Sequence, residues 1–331
     1  MDRVLSTAGS ESKTAMRVLV TCSAGHLGVA LMRLLPIWGH LSIGLDLKPS
    51  LGTAHVGSIT DRALVMRALQ QVDAVIHTAS LHKQHIVTHC EQKFIDTNIT
   101  GTYTLLEAAE TRGVTRFVMS STTSAFGAAL MPSVAAPAAW IDETVTPVVK
   151  NIYGFSKVAA EDLCQLFARQ TSINTVVLRL TRFFAEPDDS ELVRRCFADT
   201  NAKANEFLYR WIDLNDAVLA LINARFACEK RGFGRAVISA TTPFQRQYLV
   251  ALRIDPSAVV AALFPDFTAI YGAAGYRMFS DIDRVYVSHR ARQALDWVPQ
   301  NDFGRVSTQI RDGGPIGSAL AREVGARGGH D

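Results

Sequence analysis

The chain has 331 residues, enough for one large α/β domain or for a domain with a smaller appendage. Hydrophobic residues make up 48% and charged residues 20%, an ordinary globular balance. The formal net charge of +3 gives no field that favours nucleic acid or a membrane surface. No apolar run reaches membrane-spanning length, and the polar segment 1–15, expected to be a flexible leader, lacks the apolar core of a signal peptide. The five cysteines are scattered and odd in number, which favours reduced thiols and a cytoplasmic protein.

Ordered structure is predicted to begin with a strand, a glycine-bearing turn and a helix. Residues 16–21 form an apolar run of β type, and residues 29–38 have a helical pattern. The turn between them would aim a helix N-terminus and free backbone N–H groups at a pyrophosphate. A second strand, 41–45, ends in Asp46, where a carboxylate can accept hydrogen bonds from an adenosine ribose. Because a carboxylate repels a 2′-phosphate, NAD is favoured over NADP, although the neighbouring Lys48 weakens that preference.

Strands and helices then alternate along the chain. Further strands are predicted at 53–56, 73–77, 116–119, 175–179 and 236–238, and helices at 61–71, about 91–112, 153 to about 170, and 211–225. This alternation predicts an α/β fold, a Rossmann-type doubly wound parallel sheet, whose ligands bind beyond the carboxyl ends of the strands. The dinucleotide-binding domain would comprise residues 16–182 plus about 205–240. A small C-terminal substrate-binding cap would comprise 183–204 plus about 241–312, followed by a flexible tail, 313–331.

Tyr153 and Lys157 are four residues apart, so on a helix they project from one face. An ammonium beside a phenol stabilises the phenolate and lowers the pKa of the phenol. Such a tyrosine can exchange a proton with an alcohol or carbonyl while a hydroxyl of the nearby cluster 120–124 holds the same oxygen. A tyrosine, a lysine and a hydroxyl group placed in this way indicate hydride-transfer chemistry. The alternative is an ordinary amphipathic helix whose Tyr and Lys share a face by chance.

Several motifs occur in the order typical of one family. They are Thr21-Cys22-Ser23-Ala24-Gly25-His26-Leu27-Gly28, His77-Thr78-Ala79, Asn98-Ile99-Thr100-Gly101-Thr102, Ser120-Ser121-Thr122-Thr123-Ser124-Ala125-Phe126-Gly127, the Tyr153 and Lys157 pair, and the late segments Asp283-Arg284-Val285-Tyr286 and Leu295-Asp296-Trp297-Val298-Pro299. With them the chain resembles the extended short-chain dehydrogenase/reductase family, the NAD-dependent epimerase/dehydratase group. The resemblance covers roughly residues 16–240, with weaker similarity to about 303.

The resemblance implies a role for each matched position. Tyr153 would be the general acid/base, Lys157 would lower its pKa and bind the nicotinamide ribose, and Thr122 would hydrogen-bond the substrate oxygen. It also implies a homodimer formed through a helix pair that includes the Tyr153 helix. The predicted cofactor-binding residues are Thr21, Ala24, Gly25, His26, Leu27, Gly28, Asp46, Ser58, Ile59, His77, Thr78, Ala79, Asn98, Ser120, Tyr153 and Lys157.

Three positions near the expected cofactor and substrate depart from the family pattern. Cys22 replaces the first glycine of the turn, where any side chain costs about 1 kcal/mol or more if φ is positive. Cys22 is either a tolerated small side chain or a redox-sensing thiol. Ser58 follows Gly57 where many relatives carry an Asp for adenine, and Phe126 replaces the usual Tyr, which removes a hydroxyl near substrate.

A fourth departure concerns the substrate. Arg182 stands where nucleotide-sugar enzymes carry an Asn, and only residues 183–209 separate it from the segment that contains Arg210. Little chain remains to hold a UDP group, so we expect a small molecule with a carboxylate or several hydroxyls that Arg182 can bind in a forked geometry. Arg182 as a structural ion-pair partner is the equal alternative.

His82, His85 and His89 are spaced three and four residues apart after the His77 strand. No supporting carboxylate pattern accompanies them, so substrate contact or a solvated loop is preferred and no metal is expected. Glu143 either contacts substrate or caps local turns. The predicted substrate-binding residues are His82, Thr122, Thr123, Phe126, Glu143, Arg182 and Arg210.

The sequence therefore predicts an NAD-dependent oxidoreductase that acts on a secondary alcohol or ketone of a small polar or sugar-like substrate. One alternative is a nucleotide-sugar 4-epimerase with retained NAD. Another is a non-catalytic dinucleotide sensor, which usually loses the Tyr and Lys pair that this chain keeps.

Overall fold

A computed structural model describes residues 15–227 and 232–325. Its centre is a seven-stranded sheet in which every neighbouring pair of strands is parallel. The strands are β1 (Arg17–Thr21), β2 (Leu41–Asp46), β3 (Thr53–Val56), β4 (Ala74–His77), β5 (Arg116–Thr122), β7 (Asn174–Leu180) and β8 (Phe233–Ile238). Their order, β3-β2-β1-β4-β5-β7-β8, confirms the predicted doubly wound α/β fold.

Helices cover both faces of the sheet because alternate strand residues point to opposite sides. Val18 and Val20 of β1 pack in one core cluster, while Leu19 packs in the other. The first face carries α1 (His26–Ile37), α8 (Leu214–Ala227), α11 (His289–Leu295) and α13 (Ala319–Val324). The second carries α2 (Arg62–Ala68), α4 (Gly101–Thr111) and α5 (Ile152–Gln170), and α3 (Glu91–Phe94) packs against α5.

The remaining elements form a cap at the carboxyl ends of the strands. They are the strands β6 (Ala139–Ile141) and β9 (Arg284–Tyr286), and the helices α6 (Glu191–Cys196), α7 (Asp199–Glu206), α9 (Pro256–Leu263), α10 (Phe267–Ala274) and α12 (Phe303–Arg311). The cap has its own aromatic core, in which the ring centroids of Phe264 and Phe303 are 5.0 Å apart. Strands β6 and β9 pair in parallel as a separate two-stranded sheet.

Three segments differ from their predicted form. The single helix predicted over 91–112 is divided by a π-helical stretch, Ile95–Thr100, between α3 and α4. The loop expected over 125–150 contains β6, whose pairing partner lies far along the chain. Residues 313–331 were expected to be a flexible tail, but their described part contains α13, which Ser318 caps and Val324 anchors in the core. The expected leader lies outside the described residues except for its last position.

Among residues 15–227 and 232–325 no single helix is long and apolar enough to cross a membrane. Helices α9 and α10 together have the length and composition, but they are bent by 117° at the break between them.

Candidate active site

Helix α5 brings Tyr153 and Lys157 to the end of β5. The side chain of Asn151 accepts a hydrogen bond from the N–H of Gly154 at 2.9 Å, which starts the helix just before Tyr153. The Lys157 Nζ donates to the carbonyl of Ser120 at 2.9 Å. The Tyr153 phenol lies beside the Thr122 side chain in the cleft, and Thr122 acts to lower the pKa of that phenol. The three predicted catalytic side chains therefore lie together beside the last residues of one strand.

Burial dominates the proton affinities of this pair. It raises the pKa of Tyr153 to about 12, against the opposing effect of the hydrogen bond to Thr122. It lowers the pKa of Lys157 to about 8, while the nearby Glu161 acts in the opposite direction. The expectation that the pKa of the phenol falls was wrong for the protein without cofactor. Loss of water around the buried phenolate raises this pKa by more than Thr122 lowers it.

The glycine turn after β1 is narrow and leaves the N-terminus of α1 open. A Cβ on Gly28 would lie 1.9 Å from the Cys22 carbonyl oxygen, and one on Gly25 would lie 2.7 Å from the Cys22 Sγ. No side chain in the described part of the chain caps α1. The first N–H groups of the helix thus face the cleft, which is the arrangement that a pyrophosphate needs.

Cys22 adopts φ +56°, the left-handed conformation that favours the glycine of the family pattern. Burial, and then the charge of Asp46, raise the pKa of its thiol to about 12. The redox-sensing alternative loses support, because the thiolate is the reactive form.

Asp46 at the end of β2 is already part of this turn. Its two carboxylate oxygens accept hydrogen bonds from the backbone N–H groups of Ala24 and Lys48, both at 2.8 Å. Each oxygen keeps a second lone pair, so the carboxylate can still accept from a ribose hydroxyl. Asp46 therefore fixes the turn; it does not line the cleft, and its contact with a ribose stays a prediction.

Thr21 joins the ends of β1 and β4. Its hydroxyl oxygen accepts from the N–H groups of Thr78 and Ala79, both at 3.0 Å, and shares a 2.9 Å hydrogen bond with His77. His77 is buried, and burial lowers its pKa to about 3, so it is neutral at working pH. Of these four residues only Thr78 lines the cleft.

Three other predicted cofactor positions are held by protein contacts. The Asn98 side chain, in the π-helical stretch, bonds to the backbone of Leu81 and donates to the Ser156 hydroxyl at 2.9 Å. The Ser58 hydroxyl bonds to Thr60 at 2.8 Å. Ile59 is buried in the core. None of the three lines the cleft.

The cleft itself has a volume of about 460 Å³. Five of the predicted substrate-binding residues line it: His82, Thr122, Thr123, Arg182 and Arg210. Phe126 and Glu143 do not. Phe126 is fully buried with its ring 4.5 Å from the Arg179 Cζ, and Glu143 accepts from the Val237 N–H at 2.7 Å. The structure does not place these two side chains where we expected substrate contacts. Phe126 faces the protein interior, and Glu143 faces the edge strand β8.

The guanidinium groups of Arg182 and Arg210 are paired within the chain. Arg210 Nη2 lies 2.7 Å from an Asp188 oxygen and also contacts Glu206. Arg182 Nη1 lies 3.5 Å from the same Asp188 oxygen, and its Nε lies 3.6 Å from Glu206. Burial raises the pKa of Glu206 to about 7, and the two arginines oppose that effect. The structural ion-pair alternative for Arg182 thus has direct geometric support.

Sequence reasoning placed segment 183–190 in the substrate-binding cap but named none of its residues as contacts; Phe183, Phe184, Asp188, Asp189 and Ser190 line the cleft. The Glu186 carboxylate lies 3.3 Å from the His26 ring nitrogen Nε2, and Asp189 lies 3.0 Å from Lys83. The Phe184 ring is T-shaped against His82 at 5.7 Å between centroids. The three acidic residues in this short segment were the available signal, but their partners are distant in sequence. The rings of His82, His85 and His89 contact one another in turn.

The parallel sheet and the open helix N-terminus define a Rossmann-type fold, and its cleft brings Tyr153 and Lys157 together with Thr122. The model of the NAD dependent epimerase/dehydratase family matches residues 18–221, more than half of the chain. The chain therefore belongs to that family, as the sequence motifs predicted.

Curated relatives with different activities match parts of the chain. A uronate dehydrogenase of Pseudomonas syringae pv. tomato is 27% identical over 183 residues, which is 54% of this chain and 63% of the relative. A UDP-glucose 4-epimerase of Rhizobium leguminosarum bv. trifolii is 35% identical over 130 residues, 39% of this chain and 38% of the relative. The match thus spans less than two thirds of the length of either relative.

A solved structure extends the likeness over the whole fold. A short-chain dehydrogenase/reductase superfamily protein from Agrobacterium tumefaciens, solved with bound NAD, superposes with a TM-score of 0.64 at 21% identity. The superposition covers 93% of this chain and 97% of that one. The cap as well as the sheet is therefore similar to a known fold.

Proposed function

We propose that the protein is an NAD-dependent oxidoreductase that transfers a hydride to or from a secondary alcohol or ketone of a small polar, sugar-like molecule. One observation carries the proposal: Thr122, Tyr153 and Lys157 meet in the same cleft that the open N-terminus of α1 faces. A proton-transfer group and an anion-binding helix end in one cleft are what hydride transfer between a dinucleotide and an alcohol requires.

In this mechanism the Tyr153 hydroxyl exchanges a proton with the substrate oxygen, and the Thr122 hydroxyl holds that oxygen by a second hydrogen bond. The Lys157 ammonium, fixed by the Ser120 carbonyl, favours the phenolate form of Tyr153 when the site is loaded. NAD, when bound, supplies the hydride acceptor. Closure of the cleft by segment 183–190 would exclude water from the reacting oxygen.

The chain suits NAD better than NADP. The N–H groups of the first turn of α1 would hold the pyrophosphate, and the residual lone pairs of Asp46 would accept from the ribose hydroxyls. The Asp46 carboxylate is fixed by Ala24 and Lys48 at the end of β2, so a 2′-phosphate there would meet a negative charge.

A compact substrate is supported by the composition of the cleft. Arg182 and Arg210 are held by Asp188 and Glu206, so their remaining N–H groups can bind hydroxyls or an acid group without moving. Segment 183–190 is tied across the cleft by the contacts of Glu186 with His26 and of Asp189 with Lys83, which favours a substrate without an attached nucleotide. We infer that the substrate is a sugar or sugar acid rather than a nucleotide sugar.

The test begins with denatured protein, whose supernatant is assayed for released NAD(H). The proposal would be supported if no NAD(H) is released and the protein binds added NAD. It would also have to oxidise or reduce members of a panel of aldoses, uronates and polyols. Stoichiometric retained NAD with turnover of UDP-sugars would favour the 4-epimerase alternative. The variant Tyr153→Phe should lose about 10²-fold or more in kcat while still binding NAD. Unchanged function in that variant would favour a dinucleotide sensor.

We also propose that the protein forms a homodimer through α4 and α5. Tyr103 of α4 and Phe155 and Leu166 of α5 are exposed apolar side chains, and the two α5 positions, eleven residues apart, lie on one helix face. The variant Leu166→Glu should lower the sedimentation-derived mass toward that of a monomer at micromolar concentration.

A further inference from the structure

Three side chains of α5 hold three consecutive residues of β5. Tyr153 lies beside Thr122, and Lys157 donates to the Ser120 carbonyl at 2.9 Å. One turn further along, Glu161 accepts a 2.6 Å hydrogen bond from the Ser121 hydroxyl. Because the helix residues are spaced by four, all three contacts lie on the same helix face. Glu161 thus adds a third contact between α5 and β5.

Glu161 is fully buried, and its negative charge is paired with two arginines. Arg179 of β7 binds it with two N–H groups, at 3.0 Å from Nε to Oε1 and 2.7 Å from Nη2 to Oε2. Arg235 of β8, which is 23% exposed, places its Nε 3.0 Å from Oε2. One carboxylate therefore links the catalytic helix to three adjacent strands. Glu161 does not line the cleft, so it cannot act on substrate directly.

A buried carboxylate with two guanidinium partners is a costly arrangement. Hydrophobic residues of similar volume often give equal or greater stability than a buried ion pair or triad, so stability alone does not explain the cluster. The position of Glu161 beside Lys157 suggests why the cluster is present. Glu161 is one turn from Lys157, and its negative charge raises the pKa of that amine against the larger effect of burial.

We propose that Glu161 is a positioning residue for the catalytic pair, and that Arg179 and Arg235 set how much of its negative charge Lys157 feels. The carboxylate fixes α5 on β5 through Ser121 and keeps Lys157 as an ammonium. This inference rests on the proposed function for its meaning in catalysis, but the electrostatic link between Glu161 and Lys157 can be measured without substrate or cofactor.

The measurement is competitive labelling of Lys157 with acetic anhydride as a function of pH, read by mass spectrometry of its peptide. Glu161→Gln removes a negative charge beside the amine, so the labelling midpoint should fall by about one pH unit. Arg235→Met removes a positive charge and keeps the Glu161 and Arg179 pair, so the midpoint should rise by about half a unit. Glu110→Gln removes an exposed carboxylate of α4 and should leave the midpoint unchanged.

Opposite shifts of the labelling midpoint in the two variants would support the proposal. If the cluster were purely structural, both variants would lower the stability of the fold, but the pKa of Lys157 would not change in opposite directions. Equal midpoints in natively folded Arg235→Met and the parent protein would overturn it, even if Glu161→Gln failed to fold. With an active substrate in hand, the alkaline limb of kcat/KM should move in the same directions as the midpoints. Loss of activity in Tyr153→Phe tests the proposed function separately and does not affect the labelling result.

Discussion

A methyl group at position 28 tests the narrow turn directly. In Gly28→Ala the new Cβ would lie 1.9 Å from the Cys22 carbonyl oxygen and 2.7 Å from the Ser23 Cα. Ordinary contacts begin at 3.4 Å, so the turn and α1 must separate by about 1.5 Å. Both neighbours are backbone atoms, which cannot rotate away. The free energy of unfolding should therefore fall by about 1–3 kcal/mol.

The same shift should weaken NAD binding by about tenfold or more, because the N–H groups of α1 leave the orientation that the turn imposes. Urea unfolding followed by circular dichroism gives the first quantity, and titration with NAD gives the second. Gly314→Ala is the matched control, since its nearest non-local atom would be 3.6 Å from the added Cβ. If both variants behave alike in both assays, the close approach at Gly28 is not what the turn requires.

Three further changes have defined outcomes. Glu143→Ala removes the acceptor of the Val237 N–H and should lower the free energy of unfolding by about 1.5 kcal/mol with KM unchanged; a changed KM would restore Glu143 as a substrate contact. Because the pKa of Glu206 is about 7 when folded and 4.5 when free, the folded state binds more protons between these values and stability should fall as pH rises through that window. Glu206→Gln should remove that slope in urea midpoints at pH 5, 6 and 7. Asp46→Asn should shift the ratio of NAD to NADP affinity toward NADP, and an unchanged ratio would contradict the assigned role of the carboxylate.

The order of the elements was predictable because it depends on local pattern. Buried parallel strands are short apolar runs, and the turn after β1 carries its glycines in sequence. The strand ends then gather at one edge of the sheet by topology alone, which brings Thr122, Tyr153 and Lys157 together. The positive φ of Cys22 was foreseeable for the same reason, since a turn of this kind requires that conformation.

Features that depend on distant partners could not be predicted. Glu143 meets Val237 across 94 positions, and β6 meets β9 across more. The direction of the Tyr153 pKa depends on how completely the phenol is buried, which no spacing reports. Glu161 looked like an ordinary helix residue until Arg179 and Arg235 were brought to it by two other strands.

The pairing of β6 with β9 joins two parts of the chain that lie far apart in sequence. Strand β6 lies in the segment between Thr122 and Tyr153, whereas β9 follows the cap helix α10 much later in the chain. Backbone hydrogen bonds from Ala139 to Asp283 and from Val287 to Ile141 hold the two strands together at their ends. We therefore expect a displacement of the cap to be transmitted to the segment that leads into α5. Substitutions in the cap can change the rate of the chemical step as well as the affinity for substrate. Exchanging caps between relatives would accordingly require the segment around β6 to be exchanged with them.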